Sequence, residues 1–139
     1  MTEHGRGAAS AEEPLSAPDT PAPSHAERAR TLAEARSTGA LCTLAVDPAG
    51  YPHGSFVTFA MLGPRPVFLV SRLASHTQHL EADARASLLV AEDHAEDPLA
   101  NARVTLLGRC TRLGESDAAP ARAALVAMAR DARARSRKR

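Results

Sequence analysis

Aromatic residues are scarce in this chain of 139 residues: there is no tryptophan, one tyrosine and three phenylalanines, and none of them follows Phe68. Proteins that grip single-stranded nucleic acid set aromatic platforms among basic residues, and no such platform exists here. Arg130, Arg133, Arg135, Arg137, Lys138 and Arg139 crowd the last ten positions against Asp131 alone, a local balance of +5 in a chain whose net charge is +1. No second basic face precedes them, so they read as the solvated end of a helix and not as a nucleic-acid surface. Cysteine is rare too. Cys42 and Cys110 fall in apolar stretches without the paired spacing of metal ligands, and are expected to be free thiols. Long apolar runs are missing, all falling well short of the ~20 residues that span a membrane. No charged-then-apolar signal segment opens the chain, so cytoplasm is the expected location. Gly-x-Gly-x-x-Gly, phosphate loops, Cys-x-x-Cys and nucleophile elbows are absent, which leaves dinucleotide-fold and hydrolase readings without support.

What is present is organised as one domain between two polar ends. Residues 1–24 carry Pro14, Pro18, Pro21 and Pro23 without apolar periodicity and read as a disordered leader. Ser24 and Glu27 form a capping-box pattern, with Ala29, Leu32, Ala33 and Arg36 on one face and Gly39 as a stop, predicting a helix over 25–37. Strands are expected over 40–46 and 52–60, joined through Asp47-Pro48-Ala49-Gly50 as a hairpin. On the second of them His53, Ser55, Val57 and Phe59 share one face, and Gly54, Phe56, Thr58 and Ala60 the other. A third strand over 67–71 is too continuously apolar to be half exposed. Ser75 and Gln78 suggest a second capping box, opening a short helix to about 82 with Leu80 inward. Strands over 86–92 and 102–113 complete the set, and residues 116–135 read as an Ala/Arg helix with Ala118, Ala121, Leu125 and Met128 on one stripe. The expected class is mainly β (α+β): a small barrel of about five antiparallel strands with flanking helices, over 25–115, followed by a helix and basic tail over 116–139.

One place concentrates chemistry. Ser71, Arg72, Ser75, His76 and Thr77 fall where a strand gives way to a helix N-terminus, so hydroxyls, orphan amides and positive charge converge as a bound phosphate requires. The plainer alternative is a helix cap beside a solvated arginine. His76 and His79 lie one turn apart, a spacing that chelates metal, but no third ligand is evident and no metal is expected.

Gly50-Tyr51-Pro52-x-Gly54-Ser55, the apolar 67–71, Ser75-His76-Thr77, Arg85-Ala86-Ser87-Leu88-Leu89-Val90 and Arg103-Val104-Thr105-Leu106-Leu107-Gly108 follow one another in the order of a known family. From about 33 to 113 the chain resembles the FMN-binding split barrels related to pyridoxamine 5'-phosphate oxidase, nearest the branch of haem-utilisation flavoproteins. The resemblance implies non-covalent FMN, held by Gly54, Ser55, Val57, Thr58, Ser71, Arg72, Ser75, His76, Thr77 and Arg103, in a groove between the subunits of a homodimer. It implies an FMN-dependent oxidoreductase of the haem-utilisation or general flavin-redox type, with a small-molecule or haem-like substrate; it names no catalytic residue. The alternative is a non-catalytic module that binds flavin or a partner. Two departures matter. Ser55 stands where the oxidase has arginine, and Ala74, Ser75 and His76 where it has serine, arginine and lysine, so weaker phosphate affinity is expected. The aromatic-rich strands that close the family's barrel have no counterpart here, so an open barrel edge is expected.

Overall fold

The computed structural model describes residues 21–94 and 96–138. Among these, the chain forms α1 (His25–Ala35), β1 (Thr38–Leu44), β2 (Pro52–Leu62), β3 (Arg65–Phe68), α2 (Ser75–Ala82), β4 (Arg85–Ala91), β5 (Arg103–Arg109) and α3 (Glu115–Ser136), with a short 3-10 turn at Pro98–Ala100. The leader expected at the N-terminus lies, up to residue 20, outside the described residues.

The sheet grows outward from the β1–β2 hairpin. Gly50, at φ 79°, takes the left-handed conformation that lets the chain reverse, and the Ala45 amide donates to the Tyr51 carbonyl at 2.8 Å to close the turn. From Leu44 opposite Pro52 to Thr38 opposite Thr58 the two strands pair without a break. β2 is long enough to serve two neighbours. Beyond Thr58 it pairs with β3 instead, from Phe59 opposite Phe68 to Leu62 opposite Arg65, and the Phe59 and Phe68 rings meet at 6.4 Å. On the other side β1 pairs with β4 and β4 with β5, giving the order β3-β2-β1-β4-β5, antiparallel throughout. This is an open half-barrel whose edges are β3 and β5.

Because directly paired residues share a face, the register sorts the side chains. Ser55, Leu41, Leu88 and Leu106 form one row, and Val57, Gly39, Val90 and Val104 the next. These rows face the core, where Leu41, Val57, Phe59, Leu88 and Val90 are buried together with Leu32 of α1. The predicted capping box of α1 is present: Ser24 Oγ accepts from the Glu27 amide, and Glu27 Oε2 accepts from the Ser24 amide at 2.7 Å. A second, smaller core forms where the Ala121 stripe of α3 meets Ala60 and Val67. Small residues on both surfaces let the helix lie close to the sheet.

Three expectations need correction. The third strand ends at Phe68 rather than running through 71, and Leu69 is 76% exposed; an apolar run alone does not distinguish a paired strand from a connection along a groove. The predicted capping box at Ser75 does not form. Ala74 is the N-cap, with no side-chain cap, because the residues before it close their own turn through Ala74 N–H to the Ser71 carbonyl. The last strand stops at Arg109, six residues after it begins, and the Cys110 amide still reaches the Ala84 carbonyl at 2.7 Å. Both cysteines are free and half-buried, and burial pushes the Cys110 thiol pKa up.

Candidate ligand-binding site

The predicted residues separate into three places. Ser71, Arg72, Ser75, His76 and Thr77 come together in the turn and first turn of α2, as their spacing suggested. Several of their donors and acceptors are already engaged there. Thr77 Oγ1 donates to the Ser71 carbonyl at 2.6 Å, and Ser71 Oγ accepts from the Leu73 amide at 3.2 Å. Arg72 and Ser75 are exposed. Ser55 and Val57 lie on the core face of β2, Val57 as a buried core residue, whereas Gly54 and Thr58 lie on the outer face with Phe56. Arg103 is not brought to any of these. It opens the edge strand β5 opposite Ala91, three strands away from β2 and at the end of β4 remote from α2.

Beside the phosphate-like cluster lies a group of which the sequence showed only the His76–His79 spacing. His79, only 7% exposed, makes a 3.0 Å contact from Nδ1 to Thr43 Oγ1 on β1. Its ring meets that of His53 on β2 edge to face, with centroids 4.9 Å apart. His53 Nδ1 is 3.4 Å from Ser55 Oγ, and the Thr43 hydroxyl is also 3.5 Å from the His53 carbonyl. Thr43 Oγ1 therefore bridges the two elements, sharing a hydrogen bond with His79 Nδ1 whose direction follows the ring's tautomer. His76 completes the group: its Nε2 is buried without a hydrogen-bond partner. Burial, followed by the charges His53 and His79 would carry, pushes the His76 imidazole below its ordinary pKa. The available signal was His53 alternating onto the same face as Ser55, together with the His76–His79 helical spacing. Among the described residues, no group of three His, Cys, Asp or Glu side chains is arranged to hold a metal ion.

The core face also opens into a groove of about 1210 Å³ between β3, α2, β4, β5 and α3. Phe68, Leu80, Leu106 and Leu125 contribute apolar wall, while Arg65, Arg72, Arg109 and Arg122 stand exposed around it. Among the described residues none of these four is in a salt bridge, unlike Arg112, which Glu81 holds at 2.7 Å, although Arg109 lies near enough to help hold the Asp83 carboxyl down. Arg85 is likewise taken up by Asp83, and its hydrogen bonds hold the Asp83 carboxyl at about 2. Such a groove is larger than the ~300–1,000 Å³ of typical ligand pockets. It suits an amphipathic anion with a large apolar body.

The profile of the family described as pyridoxamine 5'-phosphate oxidase matches residues 26–138. The chain belongs to that family. A solved structure described as a haem-binding protein from Mycobacterium smegmatis is 44% identical, superposes with a TM-score of 0.71, and is covered over 43% of its length by 76% of this chain. That likeness establishes the split-barrel α+β fold. The chloroplastic non-canonical haem oxygenase HOZ of Arabidopsis thaliana is 37% identical over 102 residues, 73% of this chain and 31% of the plant protein. HutZ, the haem storage protein of Vibrio cholerae, is 25% identical with a TM-score of 0.52, each chain being covered over 63%. The chain therefore spans less than half of both the mycobacterial and the plant relative. Among the described residues, no helix is long and apolar enough to cross a membrane.

Proposed function

We propose that this chain is the barrel portion of a haem-handling protein, working as a homodimer, in which the groove on the core face accepts the tetrapyrrole. The observation that carries this reading is the pairing of apolar walls with four exposed arginines that, among the described residues, form no salt bridge. A tetrapyrrole with carboxylate arms is a flat apolar body with negative charge at its edge, and guanidinium groups bind carboxylates bidentately. Haem supplies a redox-active iron together with most of that iron's ligands. That no three-ligand metal group occurs among the described residues is therefore no obstacle to it. Relatives described as haem-binding, haem-storing and haem oxygenase support the same class. Both cysteines being free accords with the cytoplasm.

A second reading, an FMN-dependent oxidoreductase, is favoured by one feature: the Ser75 and His76 amides open α2 beside the Ser75 hydroxyl and the guanidinium of Arg72, while those of Thr77 and Gln78 already donate to the Ala74 carbonyl. Against it, the Ser71 and Thr77 side chains already have backbone partners, and the arginine and lysine of the oxidase have no equivalents. Titration of the purified protein with haem, followed in the Soret band, and with FMN, followed by flavin fluorescence, separates the two. Saturable haem binding with little FMN binding supports the first reading. Tight FMN binding without haem binding replaces it with the second.

The homodimer rests on the outer face of the sheet. Phe56, Ala40 and Leu89 form one row there, and Gly54, Cys42, Ser87 and Leu107 the next. Phe56 is 80% and Leu107 83% exposed. A flat apolar face of this kind is what a second copy covers.

A further inference from the structure

We infer that His53, His76 and His79 form an acid-sensitive latch that holds α2 against the sheet at neutral pH and releases it on acidification. The three rings come from two elements that are distant in sequence, and α2 otherwise rests on β1. Where α2 docks, β1 presents Thr43 and β2 presents His53 and Ser55. The latch consists of a hydroxyl and an imidazole sharing a hydrogen bond, an edge-to-face pair of imidazoles, and a third imidazole with a buried nitrogen.

A proton added to any one ring has two other imidazoles for neighbours and no carboxylate. Among the described residues, no hydrogen bond or salt bridge joins His53, His76 or His79 to an acidic side chain. The carboxylates nearest His76 and His79 in sequence are already taken, Glu81 by Arg112 and Asp83 by Arg85, and Asp47, the nearest to His53, is exposed in the hairpin turn. A doubly protonated His79 can only donate through Nδ1, which fixes the Thr43 hydroxyl as acceptor there and leaves its own proton to the His53 carbonyl at 3.5 Å. Second and third protons would face the first at close range, where nothing neutralises them. The depressed pKa of His76 has the sign this arrangement demands.

Release has a consequence for the groove, because Thr77 and Leu80 of α2 line it. If the groove takes haem, as proposed above, acid removes one of its walls and the ligand is let go. The latch itself does not depend on that reading.

Hydrogen exchange of the ligand-free protein, corrected for intrinsic rates and compared at about pH 7.5 and about pH 5.5, tests it across the window where histidine titrates. In the wild-type protein the α2 amides are expected to lose protection severalfold more than those of β1 and β2. The double variant His53→Phe/His76→Gln keeps a ring beside His79 and removes two of the titrating groups, so most of that selective loss is expected to disappear. Protection of α2 that changes in step with β1 and β2 overturns the latch. So does an acid response that is undiminished in the double variant. Haem titrations at the same two pH values keep the questions apart. Failure to bind at about pH 7.5 counts against the groove reading, while the exchange result decides the latch on its own.

Discussion

At the scale of single residues, Thr43 and His79 set the terms, because both are buried and each is the other's hydrogen-bond partner. Thr43→Val keeps the shape and removes the hydroxyl, leaving the His79 nitrogen without a partner. A loss of about 1–3 kcal/mol in urea unfolding is expected, with Thr43→Ser close to wild type. His76 fixes the direction of the pH dependence. Its folded pKa lies below the ordinary 6.5, so between the two values the unfolded chain binds the proton that the folded chain refuses. Its contribution is therefore fully present above about pH 6.5 and is lost as pH falls through the folded value. Urea midpoints measured from pH 8 downward should be flat and then decline below about pH 6.5, with a shallower decline in His76→Gln. Gly39 offers a steric test. A Cβ there would meet the Leu89 carbonyl oxygen at 2.8 Å, a backbone atom that cannot swing aside. Gly39→Ala should destabilise the protein by about 1–3 kcal/mol, as overpacking does. The candidate residues of α2 were legible because they are neighbours in sequence. Thr43 and His53 were not, since only the hairpin register and the docking of α2 bring them to His79.

Elements were legible wherever a local rule decides them. The Ser24–Glu27 box, the Asp47–Gly50 reversal and the alanine stripe of α3 each depend on residues within two or three turns of chain, and each forms as its spacing indicates. Where partners decide, the reading failed. The apolar 67–71 looks like strand throughout, yet pairing with β2 ends at Phe68, and Leu69 and Val70 line the groove instead. Likewise Ser75 has the composition of a cap but not its position. Both lessons make α3 the element to perturb. Ala121 is buried against a surface that contains Ala60 and Val67, so the close approach depends on a side chain no larger than methyl. Ala121→Leu should cost about 1–3 kcal/mol through overpacking, whereas the same change at exposed Ala123 should cost little. Equal effects at the two sites would mean that α3 is not seated on the sheet as described.

For the whole molecule, the balance of buried and exposed apolar surface points outward. The core face of the half-barrel is covered in part by α1 and α2, and α3 covers the far end of the other face at Ala60 and Val67, while Phe56 and Leu107 on that face stay exposed. Monomeric proteins rarely keep more than a few hundred Å² of contiguous apolar surface, and a net charge of +1 offers little repulsion against self-association. A two-fold arrangement would bring Phe56 and Leu107 of each copy to the other. Sedimentation across a range of concentrations should then show a dimer for the wild type, and a monomer for Phe56→Asp/Leu107→Asp. That variant should keep its α2 and β1–β2 exchange protection, because both side chains are exposed within the chain and a carboxylate there costs the fold little. If the groove is complete within one chain, the monomeric variant should still bind haem with similar affinity. If the site is shared between copies, haem binding should weaken together with dimerisation, and added haem should restore part of the dimer by mass action. A wild-type protein that stays monomeric at every concentration, with or without haem, removes the outer face as an interface and leaves the groove to be judged alone.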